Sequence, residues 1–258
     1  MPTVIQLTDL HLFSNTEQDF KGQNPWQNLN HLLAQIEDDG LPDLFLLTGD
    51  LSQDETPESY RLLFERMEET GVPWEWIPGN HDQLDYMARF KPVNASVCLG
   101  RWQWLLLNSN SGQPHGELPE TERKHLLNAL ERPKAEFQAV AVHHQPLLVG
   151  PERQGAFHRE LTQPDQVAGI DNIPLQDDGW LWQTLCRYPQ VKAVICGHVH
   201  QEHELERDGL TLFTTPATSI QFMPHINDFE IDPQPPGYRC FILSDDGGIN
   251  SWVVRLQS

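Results

Sequence analysis

Short, largely apolar runs alternate with segments of helical periodicity in the first half of the chain. Residues 3–7, 44–47 and 74–77 are such runs and predict buried strands. Between them, residues 25–38 and 57–69 carry apolar residues at helical spacing, and each segment begins with a proline, which suits the first position of a helix. This alternation predicts an α/β protein with parallel strands.

The remainder of the chain adds a second set of elements. Residues 96–99 and 102–107 predict two antiparallel strands joined at Gly100-Arg101. Further elements are expected as helices at 84–90, 119–130 and 175–187, strands at 139–142 and 191–196, and hairpins pairing 202–206 with 210–215 and 239–243 with 251–256. We therefore expect two packed sheets flanked by helices, in a single domain that spans residues 1–258.

Residues 147–174 interrupt this regular pattern. They are rich in Gly, Pro, Gln and Arg and show little periodicity. A long irregular stretch inside a compact domain is usually functional or disordered. Because it also lies between two of the polar motifs described next, we expect this insertion to form a lid over a functional site.

Five short polar motifs each follow a predicted strand. They are Asp9-Leu10-His11, Gly49-Asp50, Gly79-Asn80-His81-Asp82, His143-His144 and Gly197-His198-Val199-His200. Open α/β sheets bind ligands at the carboxyl ends of their strands, so five polar strand ends predict one shared crevice. One motif alone would be weak evidence, since Gly-Asp usually marks a turn. The prediction of a shared site rests on the presence of five such motifs, each placed after a predicted strand.

The motifs offer more metal ligands than one ion needs. Mixed oxygen and nitrogen ligands favour iron, manganese, zinc or cobalt over calcium or copper. Asp9 and His11 are two residues apart, as are His198 and His200, and in extended backbone each pair would point to one face. We therefore expect two metals, about 3.5–4 Å apart, a spacing that suits in-line displacement at phosphorus.

Asp50 and Asn80 add oxygen ligands of different charge. The two oxygens of Asp50 can bridge two cations, whereas Asn80 supplies a neutral carbonyl oxygen. Two divalent cations bring about four positive charges, and Asp9, Asp50 and a bridging hydroxide remove about three. The site would remain positive and attract a phosphodiester monoanion.

The overall charge narrows the choice of partner. The formal net charge is −20, with 17 Lys and Arg residues against 37 Asp and Glu residues. Cations for contacts with a phosphate backbone are therefore scarce, which argues against nucleic-acid polymers and anionic membrane surfaces. A small-molecule substrate remains compatible, because bound cations dominate the field inside a site.

The cysteines and the two ends of the chain indicate in which cellular compartment we expect the protein. Cys98, Cys186, Cys196 and Cys240 show no close pairing, which predicts buried free thiols in a reducing compartment. The first predicted strand begins almost at Met1, so no signal peptide is expected, and no extended tail is expected after the last strand. No apolar run approaches the roughly 18 residues of a membrane span. We expect a soluble cytoplasmic protein with no membrane partner.

The five motifs resemble those of the calcineurin-like dinuclear metallophosphoesterases over nearly the whole chain. The resemblance implies a four-layer αββα sandwich of two mixed sheets flanked by helices. It further implies one metal held by Asp9, His11, Asp50 and His200, and a second held by Asp50, Asn80, His143 and His198. Iron and/or manganese are the implied metals, with zinc or cobalt as alternatives.

The resemblance also separates ligands from other histidines. His81 matches the family's non-ligand histidine, which contacts the phosphate and stabilises or protonates the leaving group. In His143-His144, the first position fits the ligand role. Gln145 departs from the expected His or Pro before Pro146, and we expect it to tune substrate choice.

Several further segments are similar to those of the bacterial class III 3′,5′-cyclic-AMP phosphodiesterases. They are residues 49–54, 114–118, 197–202, 215–219 and 221–225. His115 and His225 lie in two of these segments. Either histidine can enter the pocket or remain in a surface loop, and the sequence leaves this open.

The implied activity is hydrolysis of 3′,5′-cyclic AMP to 5′-AMP by in-line attack of a hydroxide that bridges the metals. Asp50, Asn80 and His81 would be catalytic, and they would contact the substrate together with His11 and His200. Two alternatives stay open: a linear phosphodiesterase acting on glycerophosphodiesters or other small phosphate esters, and a non-catalytic metal-binding scaffold. His81 argues against the scaffold, which has no need of it. The nucleotide preference, metal pair and oligomeric state are not predicted.

Overall fold

The first sheet contains five strands, of which four run in one direction and one runs in the opposite direction. The computed structural model describes residues 1–151, 153–160, 169–224, 226 and 229–257. The strands are β1 (Thr3–Leu7), β2 (Leu44–Thr48), β3 (Trp74–Ile77), β12 (Gly237–Leu243) and β13 (Ile249–Arg255). Their order is β13-β12-β1-β2-β3, with β1, β2 and β3 parallel and β12 antiparallel to both of its neighbours.

The second sheet contains six strands around a parallel centre. They are β4 (Ser96–Leu99), β5 (Trp102–Leu107), β6 (Phe137–Val142), β7 (Val191–Cys196), β8 (His203–Arg207) and β9 (Leu210–Thr214). Their order is β4-β5-β6-β7-β9-β8, and the pairs from β5 to β9 are parallel. A separate two-stranded hairpin joins β10 (Gln221–Phe222) to β11 (Ile231–Asp232).

Helices cover the outer faces of both sheets. They are α1 (Pro25–Asp39), α2 (Pro57–Glu69), α3 (Leu84–Met87), α4 (Glu120–Glu131) and α5 (Asp178–Leu185), with 3-10 turns at His158–Glu160 and Gly169–Asn172. Side-chain caps start the first two helices, since Asn24 accepts from the Gln27 amide and Thr56 from the Ser59 amide.

Three apolar clusters define the layers. Alternate residues of the strands face opposite sides of a sheet, so Val4 and Leu46 pack between the sheets while Ile5 and Phe45 face the helices of the first layer. The inner cluster joins both sheets, and Trp104 is one of its fully buried members. Helices α4 and α5 complete the outer cluster of the second sheet. The chain is therefore a four-layer αββα sandwich, as the sequence predicted.

The boundaries of two helices differ from the sequence prediction. Helix α5 begins at Asp178 rather than at 175, because Leu175 pairs with Gly116 in a parallel β-bridge, the Leu175 amide donates to the Gln145 carbonyl and the Gln176 amide donates to the Gly116 carbonyl. Those amides are engaged outside the helix. Helix α3 ends at Met87 rather than at residue 90 and continues only as hydrogen-bonded turns.

The prediction of buried thiols was only partly right. All four cysteines are free, and Cys196 is buried, but Cys98 and Cys186 are exposed. Cys98 lies on the edge strand β4, and Cys186 follows the last turn of α5, so neither position is covered by the core. Among the described residues, no helix combines the length and the apolar character needed to cross a membrane.

The described parts of residues 147–174 contribute both to the core and to a cavity. Leu147, Val149 and Phe157 are buried in the outer cluster of the second sheet. Ile170 and Ile173 line the cavity described below. Residues 152 and 161–168 of the expected lid lie outside the described residues.

Candidate metal centre

The polar motifs meet where the parallel strands of both sheets end. The loops after β1 and β2 run side by side, because the Asp9 amide donates to the Gly49 carbonyl and the His11 amide to the Asp50 carbonyl, each at 2.9 Å. A further bond crosses between the sheets, from the His198 amide to Asp9 Oδ2 at 3.0 Å. The loops therefore hold one another in place at a shared edge.

The backbone at these positions is left-handed rather than extended. The φ angles are 52° at Asp9, 48° at His11, 51° at Asp50, 67° at His198 and 52° at His200. The argument that residues two apart share a face of extended backbone was therefore wrong in its geometry. Each ligand pair does converge, but through a conformation that is uncommon for residues with a Cβ and that marks functional sites.

Close packing explains the glycines that begin three of the motifs. A Cβ added to Gly79 would overlap the carboxylate and amide of Asp50, and one added to Gly197 would overlap Thr8. Gly49 adopts a φ of 98°, and a Cβ there would overlap the ring of His143. The glycines let neighbouring loops approach closely enough for the polar side chains to meet.

Asp9, His11 and His200 form what we call the first cluster. Each offers a ligand atom, and these atoms lie within 4.8 Å of one another. His200 Nε2 lies 3.2 Å from Asp9 Oδ1 and 3.4 Å from His11 Nε2. All three side chains are buried, so the three donors converge on one point away from bulk solvent.

His143, His198 and Asn80 form what we call the second cluster. The ring nitrogens of His143 and His198 lie in a group within 4.8 Å that also includes His144. Asn80 borders the same cavity as His198, and its Oδ1 is buried without a hydrogen-bond partner among the described residues. His143 Nε2 is likewise buried without one. Buried acceptors of this kind are costly unless something satisfies them.

Asp50 lies between the two clusters. Its Oδ2 is 3.8 Å from His11 Nε2, whereas its Oδ1 is 3.4 Å from His143 Nε2. Asp50 Oδ1 also accepts the amide of His81 at 2.9 Å. The two carboxylate oxygens therefore face different clusters, which is the arrangement that a carboxylate bridging two cations requires.

A second hydrogen bond at each histidine fixes which nitrogen faces the centre. Three rings donate through Nδ1: His11 to Gln53 Oε1 at 2.8 Å, His143 to the Thr48 carbonyl at 2.7 Å and His200 to the Ile220 carbonyl at 2.6 Å. His198 instead donates through Nε2, to the Ile173 carbonyl at 3.0 Å. Such bonds set the tautomer and ring orientation of metal-binding histidines. The nitrogens left with a free lone pair, and so able to bind a metal, are Nε2 of His11, His143 and His200 and Nδ1 of His198.

Burial and the neighbouring carboxylates have opposite effects on the charge of the histidines at this site. Burial lowers the pKa of His11 to about 4 and that of His198 to about 3. Burial opposes the ionisation of Asp50, but His143, His11 and His81 together outweigh it, and the pKa of Asp50 lies well below its usual value. Burial also opposes a charge on His143, yet Asp50 raises the pKa of His143 to about 9. A cation bound between Asp50 and His143 would replace that proton.

His144 lies beside the second cluster but has a different environment. Its Nδ1 lies 2.8 Å from Ser109 Oγ, and its buried Nε2 has no hydrogen-bond partner among the described residues. Burial lowers the pKa of His144 well below its usual value. His143 reaches Asp50 and Asp9 as well as His198, whereas His144 groups only with the two histidines. This geometry favours His143 as the ligand.

His81 lies at the cavity rather than among the ligand groups. Its ring centroid is 5.2 Å from that of His11, and its side chain is half-buried. The cavity has a volume of about 360 Å³ and is lined by His11, Asp50, Glu55, Asn80, His81, Gly112, Gln113, Pro114, Ile170, Ile173, His198, His200, Phe222 and Phe229. His115 does not line it, and His225 lies outside the described residues.

Asp82 is a supporting residue to which the sequence assigned no role. Its carboxylate accepts the amides of Gly79 at 2.8 Å, Leu51 at 3.1 Å and Ser52 at 3.2 Å, and the hydroxyl of Tyr60 at 3.0 Å. It thereby joins the loop after β2 to the loop after β3. The feature of the sequence that could have pointed to Asp82 is its position in the Gly-Asn-His-Asp motif.

Two phenylalanines shield the first cluster. Phe20 stacks on His11 at a centroid distance of 5.0 Å, and Phe222 stacks on His200 at 4.0 Å. Phe229 in turn contacts Phe222 edge to face at 5.4 Å. Sequence reasoning missed these contacts, because an aromatic residue in a loop carries no signal of what it covers.

The donor set fits a pair of metal ions. Carboxylate and amide oxygens combine with imidazole nitrogens, a mixture typical of iron, manganese, zinc and cobalt sites. The unsatisfied Asn80 Oδ1 and His143 Nε2 atoms are the observations that test the fit, since coordination would satisfy both. The residues present therefore suit two ions that share Asp50.

Comparison with known proteins shows to which protein family the chain belongs. The calcineurin-like phosphoesterase family matches residues 2–202, and the chain belongs to that family. Members of this family use dinuclear metal centres, in agreement with the ligand groups described above.

Individual relatives are similar over nearly the whole chain. It is 33% identical to the 3′,5′-cyclic adenosine monophosphate phosphodiesterase CpdA of Escherichia coli, over 98% of this chain and 89% of that protein. It is 35% identical to the protein of the same name from Haemophilus influenzae, over 98% and 90%. A dimetal phosphatase from Danio rerio shares the fold with a TM-score of 0.65 at 11% identity, with full coverage of both chains.

Proposed function

We propose that this protein is a dinuclear-metal phosphodiesterase that hydrolyses 3′,5′-cyclic AMP to 5′-AMP. The observation that carries the proposal is Asp50, whose two oxygens face separate clusters at the floor of one cavity. The relatives named as cyclic AMP phosphodiesterases support the choice of substrate.

The two clusters would divide the metals between them. Asp9, His11 and His200 would hold one ion and Asn80, His143 and His198 the other, with Asp50 shared. Iron and/or manganese are the proposed ions, with zinc or cobalt as alternatives, because the ligands are mixed nitrogen and oxygen donors. When bound, such a pair supplies Lewis acidity that activates water and neutralises charge on the phosphate.

Asn80 and His81 would act on the phosphate directly. If Asn80 uses its unsatisfied Oδ1 as a ligand, its Nδ2 remains free to donate to a phosphate oxygen. His81 is anchored through its amide to Asp50, and its side chain lines the cavity. In the reaction, a water oxygen forms the new bond to phosphorus and the bond to the 3′ oxygen breaks. We assign His81 to stabilising or protonating that oxygen.

The shape and charge of the cavity support a small substrate. At about 360 Å³ it falls in the range of small-molecule pockets. Ile170, Ile173 and Phe229 form apolar walls of the cavity. We propose that the segment 147–174, to which the two isoleucines belong, acts as a lid. A net charge of −20 opposes binding of nucleic-acid polymers. We further propose a cytoplasmic location, in keeping with four free cysteines.

Product analysis tests the proposal. Metal-loaded protein is incubated in parallel with cyclic AMP, a glycerophosphodiester, a phosphomonoester and single-stranded DNA, and the products are separated by chromatography. We expect 5′-AMP with little 3′-AMP, and no cleavage of DNA. An Asp50→Ala preparation made in the same way serves as the control for contaminating enzymes. A preference for the glycerophosphodiester would contradict the assignment to cyclic AMP.

A further inference from the structure

Gln145 lies two residues after His143 and is fully buried. Its Nε2 donates to the Ile170 carbonyl at 3.2 Å and to Asp171 Oδ1 at 3.4 Å. Its own carbonyl accepts the amide of Leu175 at 3.1 Å. Gln145 therefore holds the chain on both sides of Ile173. It does not line the cavity, so the expected effect of Gln145 on substrate choice stays a prediction and would be indirect.

The carbonyl of Ile173 is the group that orients His198. It accepts the Nε2 hydrogen of His198 at 3.0 Å, which leaves Nδ1 as the lone-pair nitrogen. Asp171 steadies the same segment by accepting the amides of Val149 and Gly150. A shift of the Ile173 carbonyl would release the ring of His198 and change which nitrogen carries the proton.

The other three histidines rely on different parts of the fold. His143 donates to Thr48, the last residue of β2, His11 to Gln53, and His200 to Ile220. Of these four histidines, only His198 forms a hydrogen bond with the described residues of the segment 147–174. A change at Gln145 should therefore act on His198 and leave the first cluster as it is.

We propose that Gln145 is a positioning residue for the second metal ion. It fixes the Ile173 carbonyl, which fixes the tautomer and orientation of His198, and so sets the affinity of the second cluster for its cation. The inference rests on the proposed dinuclear function. The contacts require a donor at Nε2, whereas Oε1 is buried with no hydrogen-bond partner among the described residues.

Gln138 on β6 supplies a matched control. It is also fully buried, its Nε2 also donates to two oxygens, Gln103 Oε1 and the Ala129 carbonyl, and its Oε1 also has no hydrogen-bond partner in the described part of the chain. It makes no contact with residues 169–175 in these bonds. Gln145→Met and Gln138→Met remove equivalent groups, namely a donor with two acceptors and a buried unsatisfied oxygen, so the two variants should change thermal stability to a similar extent.

The experiment titrates Mn²⁺ into chelator-treated wild type and both variants by calorimetry, with metal content checked by elemental analysis. In Gln145→Met the second Mn²⁺ should bind about tenfold more weakly, consistent with the loss of a hydrogen bond that positions a ligand. The first Mn²⁺ should bind as in wild type. Gln138→Met should bind both ions normally. Equal weakening of both ions, or no weakening, in Gln145→Met would overturn the proposal.

A second measurement does not depend on metal binding. Nitrogen-15 NMR of the histidine rings should show the proton of His198 fixed on Nε2 in wild type and in Gln138→Met, and a mixture of tautomers in Gln145→Met. An unchanged tautomer in Gln145→Met overturns the proposed role of Gln145. If wild type binds fewer than two ions, the dinuclear function fails instead, and the ring measurement still decides the role of Gln145.

Discussion

The two clusters of the candidate metal centre differ in how their histidines are supported. In the first cluster, His200 donates to the Ile220 carbonyl, and the adjacent Ser219 donates to the Asp9 carbonyl through both its amide and its hydroxyl. That support returns directly to the end of β1. In the second cluster, His198 depends on Ile173, which lies in the irregular stretch 147–174.

The first cluster is therefore supported by loops at the edge of the sheet, whereas the second cluster also depends on the insertion at residues 147–174. The supports of the first cluster are bonded to the loop after β1, since the Gln53 amide donates to the Leu12 carbonyl and Ser219, next to Ile220, donates to the Asp9 carbonyl. The second cluster needs Gln145 and Asp171 to place one carbonyl correctly. We therefore expect substitutions outside the ligands to affect the second metal more readily than the first.

Substitution of Asp50 should have the largest effect on this comparison, since its two carboxylate oxygens face different clusters. Asp50→Ala should lose both metals and nearly all activity, because each cation loses a charged oxygen at once. The measurement is elemental analysis of the purified variant together with turnover of cyclic AMP. Two ions retained at full occupancy in Asp50→Ala would contradict the bridging assignment.

His143→Ala is the companion variant that distinguishes the clusters. His143 belongs to the second cluster, and its Nδ1 is bonded to the Thr48 carbonyl rather than to any residue of the first cluster. The variant should mainly empty the second site and leave about one ion bound. If it loses both ions as Asp50→Ala does, the two clusters are not separate sites.

His81 tests the boundary between ligands and catalytic groups, with the next largest effect. His81→Ala should keep both metals while losing roughly 10²–10⁴ in turnover, the range expected for a positioned acid or base. Its side chain lines the cavity but belongs to neither cluster. Metal content and turnover are measured on the same preparation. A parallel loss of metal would show that His81 is a ligand.

The positions of most strands along the chain and the convergence of the polar motifs could be predicted from the sequence. The bounds of β1, β3, β7 and α2 match the predicted ones, since apolar runs and a Thr-Pro start give strong local signals. The two-residue strands β10 and β11 were missed, because pairs this short show no periodicity. The division of ligands between two metals stays a prediction.

The supports of the ligands could not be predicted, for a physical reason. Ile173 and Ile220 act through their carbonyls, and every residue has a carbonyl, so their side chains signal only burial. The left-handed backbone at Asp9 and His11 was also hidden, because non-glycine residues rarely adopt it and tertiary contacts impose it here. Sequence patterns thus located the ligands but not the groups that orient them.

Asp82 anchors the loops that serve both clusters, so it tests whether the clusters share any support. Asp82→Ala would leave the buried amides of Gly79 and Leu51 without their acceptor. Buried unsatisfied donors cost about 1–3 kcal/mol each, so unfolding free energy should fall by about 3 kcal/mol or more. At about 2–4 °C per kcal/mol for a chain of this size, the melting temperature should fall by about 6–12 °C.

The control for Asp82 is Tyr60→Phe, which removes only the hydroxyl that donates to the same carboxylate. It should lower the melting temperature by less than half as much as Asp82→Ala, as measured by calorimetry. Metal titration of the stable fraction should show both ions weakened in Asp82→Ala. Weakening of one ion alone would assign Asp82 to a single cluster.

The smallest predicted effect concerns the wall beside the first cluster. Phe229 is 58% exposed, lines the cavity and meets Phe222, which covers His200. An exposed aromatic ring at the rim can stack on the base of a nucleotide, an interaction worth about 1–3 kcal/mol. Phe229→Ala should therefore raise KM for cyclic AMP about tenfold with little change in kcat, since the ring lies away from the ligands.

Inhibition by 5′-AMP and by ribose 5-phosphate isolates the contribution of the base. Both ligands carry the phosphate that the metals would bind, and only 5′-AMP can stack. Phe229→Ala should weaken inhibition by 5′-AMP about tenfold and leave inhibition by ribose 5-phosphate unchanged. Ile231→Ala, on the same hairpin but outside the cavity lining, should leave both unchanged. If Ile173→Ala, rather than Phe229→Ala, selectively weakens inhibition by 5′-AMP, the base lies on the side of the second cluster. The segment 147–174 would then bind substrate as well as orient His198.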